Sequence, residues 1–207
     1  VFEGGGIESD GAGTLLTTES VLVEPNRNAG VDDAVLREHL MEILGGKRLL
    51  ALENGELEGD DTDGHIDTLA RFLSPETIAY VGCEDTRDDH YHPLRRMREE
   101  LEAYRTLEGE PYKLVELPLP PAIYDEEGQR LPATYANFLF VNGALLVPTY
   151  GVPTDEVALE RLRQALPDRA VIGVDSRALI YQHGSLHCAT MQFPRGFVNK
   201  NKWSDDE

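Results

Sequence analysis

Residues 136–147 read ANFLFVNGALLV, in which two short apolar runs are joined by Asn142-Gly143. An Asn-Gly pair between apolar runs is the strongest short-range signal for a β-hairpin, so strands are predicted over residues 136–141 and 144–147. Residues 154–166 are predicted to form a helix, and the apolar run at residues 170–174 predicts a closing strand. The stretch therefore predicts a strand–strand–helix–strand unit.

The same order of elements recurs twice upstream, with loops of different length between the copies. The first copy is predicted as strands over 14–18 and 20–23, a helix over 31–44 that ends at Gly45-Gly46, and a strand over 49–52. The second is predicted as strands over 66–73 and 77–82, a helix over 89–104 and a strand over 112–117. Repeated units of this kind predict an α/β propeller-like assembly about an axis.

The number of predicted units indicates that the chain is only part of a domain. Three units alone would leave an open sheet edge with unpaired backbone groups. The chain also begins at Val1 rather than at a methionine. We therefore expect further units before Val1, and we interpret residues 1–207 as the C-terminal part of one longer domain.

The chain is acidic, since 38 Asp and Glu against 19 Lys and Arg give its 207 residues a formal net charge of −19. An acidic surface repels phosphate backbones, which argues against nucleic acid, and it attracts cationic substrates, although a merely solvated surface is the simpler explanation. No apolar run approaches the roughly 18 residues of a membrane span, and no secretion signal is visible. Two cysteines are too few for a disulfide framework, so a reducing, cytoplasmic setting is expected.

Two clusters that are distant in sequence carry the chemistry of a nucleophilic enzyme. Gly184-Ser185-Leu186-His187-Cys188 places a thiol among turn-forming residues, and residues 62–67 supply His65 and Asp67. On a strand, alternation would put His65 and Asp67 on one face. A thiol near a protonated histidine has a lowered pKa and attacks electron-poor carbon. The alternatives are a cysteine that fills the core and a surface turn with incidental polar residues.

Other polar residues have plainer interpretations. The glycine run within residues 3–10 would let acidic groups converge on a cation or on His65, or it forms a flexible acidic loop. Cys83 is assigned to the core, and His90 and His92 are expected to be exposed where the second helix begins. No metal site is predicted, because neither His-Glu-x-x-His nor Cys-x-x-Cys occurs. The potential ligands are Asp67, His90, His92, His183, His187 and Cys188.

Several motifs occur together in a distinctive order. They are Phe2-Glu3-Gly4-Gly5, Gly13-Thr14-Leu15-Leu16-Thr17-Thr18-Glu19, Pro25-Asn26-Arg27-Asn28, Thr62-Asp63-Gly64-His65-Ile66-Asp67, Asn137-Phe138-Leu139 and Leu186-His187-Cys188. In combination they resemble the agmatine deiminases, within the bacterial peptidyl-arginine deiminase-like branch of the guanidine-modifying enzymes. The resemblance extends over nearly the whole chain, to about Pro194.

The resemblance implies a pentein-type α/β propeller of five units with the active site on its axis, of which about three lie in this chain. It implies hydrolysis of agmatine to N-carbamoylputrescine and ammonia, a step toward putrescine, without metal or organic cofactor. Cys188 would attack the guanidinium carbon and form a covalent thiouronium, and His65 would protonate the departing ammonia and then activate water. Asp67 would hold the guanidinium, Glu3 would orient His65, and Asn137 would contact the substrate.

The chain departs from the family pattern at two points. The family's Trp-x-Arg-Asp motif, with its first guanidinium-binding aspartate, is absent and is expected before Val1, so the chain alone is expected to be weakly active or inactive. Many relatives have histidine where this chain has Glu8. The alternatives to agmatine deimination are conversion of arginine in peptides to citrulline and a noncatalytic propeller module that binds without turnover. The resemblance is also compatible with a homo-oligomer.

Overall fold

The computed structural model describes residues 1–193 and residue 197. Its strands form three separate three-stranded sheets, each an antiparallel pair joined through a helix to a parallel strand. The strands are β1 Glu8–Ser9, β2 Thr14–Thr18, β3 Arg48–Leu52, β4 Ala70–Ser74, β5 Thr77–Gly82, β6 Lys113–Pro118, β7 Leu139–Val141, β8 Ala144–Thr149 and β9 Ala170–Asp175. The helices are α1 Glu19–Val23, α2 Pro25–Asn28, α3 Asp33–Leu44, α4 Tyr91–Ala103 and α5 Thr154–Ala165. The predicted mixed α/β repeat is confirmed for three units.

Local signals place the elements as the sequence predicts in most of the chain. Asp32 caps α3 by accepting hydrogen bonds from two backbone N–H groups, and Gly45 ends that helix with φ 68, a left-handed conformation that suits glycine. The hairpin of the third unit turns at Asn142-Gly143, with Val141 paired to Ala144. These signals are local in sequence, and for that reason the prediction succeeds.

One predicted strand is wrong and another begins four residues later than predicted, and threonine side chains contribute to both differences. Residues 20–23 belong to helix α1, because the Thr18 side chain accepts a hydrogen bond from the Val21 N–H and so caps a helix. The partner of β2 is instead β1. Ile66–Thr68 forms a 3₁₀ turn, in which the backbone N–H and the hydroxyl of Thr68 both donate to the His65 carbonyl, and the strand begins only at Ala70.

Helices packed between neighbouring sheets fix the units relative to one another. Helix α4 buries Leu94 and Met97 in a core that includes Leu52 of the first sheet and Ile78 of the second. Helix α5 packs on both β6 and β9 and buries Leu162 in a second core. Large apolar side chains buried in this way each contribute about 1.5–3 kcal/mol to stability. None of the helices in the described part of the chain has the length and apolar character that crossing a bilayer requires.

Candidate active site

Three segments that are distant in sequence line one cavity of about 510 Å³. They are residues 3–5, residues 61–67 and residues 182–192. The acidic, imidazole and thiol side chains that line the cavity are Glu3, Asp61, His65, Asp67, His183, His187 and Cys188. The structure thus brings the predicted nucleophile, imidazole and carboxylates to one place, although the nucleophile follows the third unit and the imidazole precedes the second.

Asp67 is the most deeply buried carboxylate of this cavity, at 1% exposure. Its Oδ2 accepts a hydrogen bond from His187 Nδ1 at 2.7 Å and lies 3.6 Å from the Cys188 sulfur. Its Oδ1 is buried and has no hydrogen-bond partner among the described residues. Leaving a buried acceptor unpaired costs about 1–3 kcal/mol, so Oδ1 is an acceptor that a ligand could satisfy.

A tight turn of residues 60–64 delivers His65 and Asp67 to the cavity. The Asp60 carboxylate accepts hydrogen bonds from the backbone N–H groups of Thr62 and Gly64, and Thr62 Oγ1 accepts one from the His65 N–H. Gly64 has φ 89, and a Cβ there would lie 2.7 Å from Ser20 Oγ. Glycine is therefore required at this position, both for the backbone conformation and for the close approach.

His65 is 8% exposed and faces Glu3. Its Nε2 lies 3.5 Å from Glu3 Oε2, an ion-pair distance that is long for a hydrogen bond, and it has no hydrogen-bond partner in the described part of the chain. Glu3 Oε2 instead accepts from Arg27 Nε at 2.7 Å. Burial raises the pKa of Glu3, but the hydrogen bond and charge of Arg27 outweigh it and hold the pKa below its usual value. Glu3 therefore faces His65 as an anion.

Gly5 allows these groups to come together. A Cβ on Gly5 would lie 2.6 Å from His65 Nδ1 and 3.0 Å from Asp67 Oδ2. The first of these separations is shorter than any ordinary contact, so a side chain at this position would displace the imidazole. The glycine run within residues 3–10 thus serves close packing at the site, and of the three carboxylates in that run, only Glu3 lines the cavity.

Cys188 is solvent-exposed and is held by Asn137. Asn137 Nδ2 lies 3.2 Å from the sulfur, and Asn137 Oδ1 accepts hydrogen bonds from the backbone N–H groups of His187 at 2.8 Å and of Cys188 at 3.2 Å. Asn137 is itself fully buried and does not line the cavity. The geometry therefore favours a role in holding the Cys188 loop over the predicted contact with substrate.

The surroundings of the Cys188 sulfur disfavour its ionisation. Burial and the nearby Asp67 carboxylate together raise the pKa of Cys188 to about 11. The residue nevertheless keeps an exposed face. Both effects favour the neutral thiol, because each makes the anion less stable. A cation bound between the sulfur and Asp67 would act in the opposite direction and favour the thiolate.

The other histidines belong to no metal-binding cluster in the part of the chain that the structure describes. His90 is 4% exposed, so its predicted exposure is wrong; its ring lies 2.7 Å from Asp88 Oδ1 and accepts from the Glu58 N–H, which explains the burial. His92 is exposed, as predicted. His183 lies 2.9 Å from the Gly59 carbonyl. Among the described residues no three His, Cys, Asp or Glu side chains are grouped so that they could hold a metal ion.

Two residues at the site had no predicted role. Arg27 donates both to Glu3 and to the Thr62 carbonyl, and His187 binds Asp67. Both residues lie inside the motifs that carry the family resemblance, and those motifs were the sequence signal that could have identified them. The remaining predictions concern residues outside the cavity. Glu8 pairs with Arg71, and Cys83 is half-buried against the first core.

Comparison with known proteins identifies similar sequences and structures. A family model described as Porphyromonas-type peptidyl-arginine deiminase matches residues 1–194. A Vibrio parahaemolyticus protein named "Putative agmatine deiminase" is 36% identical over 210 residues, covering 94% of this chain and 58% of that protein. A Porphyromonas gingivalis structure described as a "Putative Arginine Deiminase" has a TM-score of 0.92 at 57% identity and covers 95% of this chain and 58% of its own.

A third match is a structure of C. jejuni agmatine deiminase, a cysteine-to-serine variant with substrate bound. It has a TM-score of 0.84 at 48% identity and covers 90% of this chain and 55% of its own. The chain therefore spans somewhat more than half the length of the proteins it matches.

Proposed function

This chain belongs to the Porphyromonas-type peptidyl-arginine deiminase family, and from that membership we propose that it carries the cysteine half-site of an enzyme that hydrolyses agmatine to N-carbamoylputrescine and ammonia. The observation that carries the proposal is the single cavity in which Cys188, Asp67 and His65 meet. A nucleophile, a carboxylate and an imidazole are the groups that guanidinium hydrolysis needs.

Substrate binding would centre on Asp67. A guanidinium group donates two parallel N–H bonds to a carboxylate, and such charge-assisted pairs are stronger than neutral hydrogen bonds. The buried Oδ1 of Asp67 has no partner among the described residues, and its Oδ2 lies 3.6 Å from the sulfur. A guanidinium paired with Asp67 would therefore bring its carbon close to Cys188. The net charge of −19 would also favour approach of a cation.

The reaction would run through a covalent intermediate on Cys188. The bound cation would offset the effects that raise the pKa of Cys188 to about 11, so that the thiol would lose its proton, with His65 as the acceptor. The resulting thiolate would form a bond to the guanidinium carbon. The C–N bond to one terminal nitrogen would then break, with His65 giving that nitrogen its proton as ammonia leaves. Water, deprotonated by His65, would add to the thiouronium carbon, and cleavage of the C–S bond would release the ureido product.

Ammonia release tests this proposal. We expect slow release from agmatine, because the Trp-x-Arg-Asp motif that the family resemblance implies does not occur in these 207 residues. Release should be abolished by Cys188→Ala and retained by Cys83→Ala, the matched control. Chloroacetamidine, a guanidinium mimic with a leaving group, should label Cys188 much faster than Cys83. Equal labelling of the two thiols, together with no ammonia release, would favour the noncatalytic binding module.

Peptidyl-arginine deimination is the second candidate, because the matching family model carries that description. Agmatine has a free amine at its far end, whereas a peptide needs room for its backbone. Ammonia release from agmatine and from a blocked arginine peptide, measured side by side, separates the two. We expect agmatine to be preferred, and a higher kcat/KM for the peptide would reverse the assignment.

The setting of the reaction completes the proposal. The two cysteines are free thiols, which suits a reducing cytoplasm and a role in polyamine metabolism. We propose that the three units belong to a closed propeller of five units, in which further units would complete the guanidinium site. A homo-oligomer is compatible with this arrangement, and neither nucleic acid nor a membrane is needed as a partner.

A further inference from the structure

Glu8 and Arg71 form a buried ion pair outside the cavity, and the reaction described above uses neither residue. Arg71 is 5% exposed, and its Nε donates to Glu8 Oε1. We infer that this pair is a clamp that positions Asn137 and, through Asn137, the Cys188 thiol. The inference rests on the proposed function only in taking Cys188 as the nucleophile.

The Arg71 guanidinium of the clamp binds the backbone on both sides of Asn137. Arg71 Nη1 donates to the Phe138 carbonyl at 2.8 Å and lies 3.5 Å from the Ala136 carbonyl. The guanidinium also lies over the Phe138 ring, 4.9 Å from its centroid. One arginine thus fixes the residue before Asn137 and the residue after it.

The three parts of the clamp come from three different units. Glu8 lies in β1, Arg71 lies in β4, and residues 136–138 lead into β7. Asn137 in turn contacts the sulfur and both backbone N–H groups of residues 187 and 188. Its Nδ2 also lies 3.3 Å from the Asp67 carbonyl. Hydrogen bonds therefore link the Glu8 carboxylate to the nucleophile through Arg71 and Asn137, with the covalent backbone of residues 136–138 as the one link that is not a hydrogen bond.

Arginine and glutamate suit this position for a physical reason. A guanidinium has donors pointing in several fixed directions, so it can bind a carboxylate and backbone carbonyls at once, whereas a lysine ammonium is a point charge on a flexible stem. The Glu8 carboxylate is only 12% exposed and neutralises the buried cation. Replacing Arg71 by Lys would keep the charge and release the backbone around Asn137.

A double-mutant cycle tests the clamp in this chain. The readout is the second-order rate of Cys188 alkylation by chloroacetamidine, with Cys83 replaced by Ala throughout. Arg71→Lys and Glu8→Gln should each slow alkylation about tenfold, because small displacements of a reacting atom have large effects on rate. In the Asn137→Ala background the same substitutions should change the rate less than twofold, since the link to the thiol is already broken.

Arg48→Lys is the matched control, because Arg48 is a half-buried arginine that donates hydrogen bonds to Thr106, Thr14 and Tyr112 outside the cavity. It should leave alkylation unchanged, whatever its effect on Tm. Glu8→Gln keeps the volume of the side chain. If the Arg71→Lys variant unfolds at the assay temperature, the double-mutant cycle of Glu8→Gln with Asn137→Ala tests the clamp instead. Equal slowing in both Asn137 backgrounds, or equal slowing by Arg48→Lys, would overturn the clamp.

The outcome is separable from that of the proposed function. Asn137-dependent slowing would support the clamp, and if the unaltered chain showed neither ammonia release nor faster chloroacetamidine labelling of Cys188 than of Cys83, the deiminase assignment would be contradicted. Cys188-dependent ammonia release without Asn137-dependent slowing would support the deiminase assignment and contradict the clamp.

Discussion

Replacement of Asp67 by Asn should change the reactivity of Cys188 in opposite directions toward a cationic and a neutral reagent. The substitution keeps the shape of the side chain and removes its charge. It removes one of the two main effects that raise the pKa of Cys188 to about 11, so that pKa should fall. It also removes the anion that a guanidinium or amidinium would bind.

The size of each effect follows from the geometry. At the 3.6 Å between the sulfur and Asp67 Oδ2, two unit charges interact by about 1.2 kcal/mol in water and about 4.6 kcal/mol at a dielectric constant of 20. Because Cys188 is exposed, the lower end applies, which is about one pKa unit. Ten times more thiolate at neutral pH, partly offset by its lower nucleophilicity, gives about three- to fourfold faster reaction with iodoacetamide.

The cationic reagent should respond the other way. Chloroacetamidine would lose charge-assisted hydrogen bonds to Asp67, worth about 2–3 kcal/mol in a partly open site, so its reaction should slow at least tenfold. The assay is alkylation of Cys188 by each reagent at neutral pH, followed by mass spectrometry. Asp61→Asn, which removes an exposed carboxylate at the rim of the same cavity, is the matched control and should change neither rate more than twofold. Parallel changes with both reagents would refute the reasoning.

Three further predictions concern packing and ionisation. Gly5→Ala should slow chloroacetamidine labelling at least tenfold at an almost unchanged Tm, because a Cβ would lie 2.6 Å from His65 Nδ1; normal labelling would show that the imidazole moves away without consequence. The rate of iodoacetamide labelling of Cys188 should rise with pH, with a midpoint near pH 11 rather than at the thiol's ordinary pKa of 9.0, because burial and Asp67 raise the pKa of Cys188. A midpoint at or below pH 9 would contradict this prediction. Met97→Ala should lower the free energy of unfolding by about 2–5 kcal/mol, measured by urea denaturation, because Met97 is fully buried between two sheets; a loss below 1 kcal/mol would be inconsistent with that packing.

The fold was predictable where its signals are local. Helix α3 follows from apolar spacing, an aspartate cap and Gly45, and the third hairpin follows from Asn142-Gly143. The errors at residues 20–23 and 66–68 arise because threonine hydroxyls cap backbone groups there, which turns an apolar run into a helical turn. A period-two pattern over four residues does not distinguish those outcomes.

The part of the site that lies in the sequence motifs was predictable. Cys188, His65, Asp67 and Glu3 were named from motifs, and all four line one cavity. The contact of Arg27 with Glu3 depends on how two segments of the first unit approach each other, and the contacts of Arg71 with residues 136–138 depend on how separate units approach each other. Single-sequence patterns carry no information about such contacts, because the partners are far apart in the chain.

The most direct test of a guanidinium carbon transferred to the Cys188 sulfur is rapid mixing with agmatine, acid quenching and peptide mass mapping. The account predicts an adduct on the peptide that contains Cys188, with the mass of agmatine less one ammonia, absent from the Asp67→Asn variant. Ammonia release with the Cys188 peptide unmodified at every quench time, or an adduct on Cys83 instead, would contradict it.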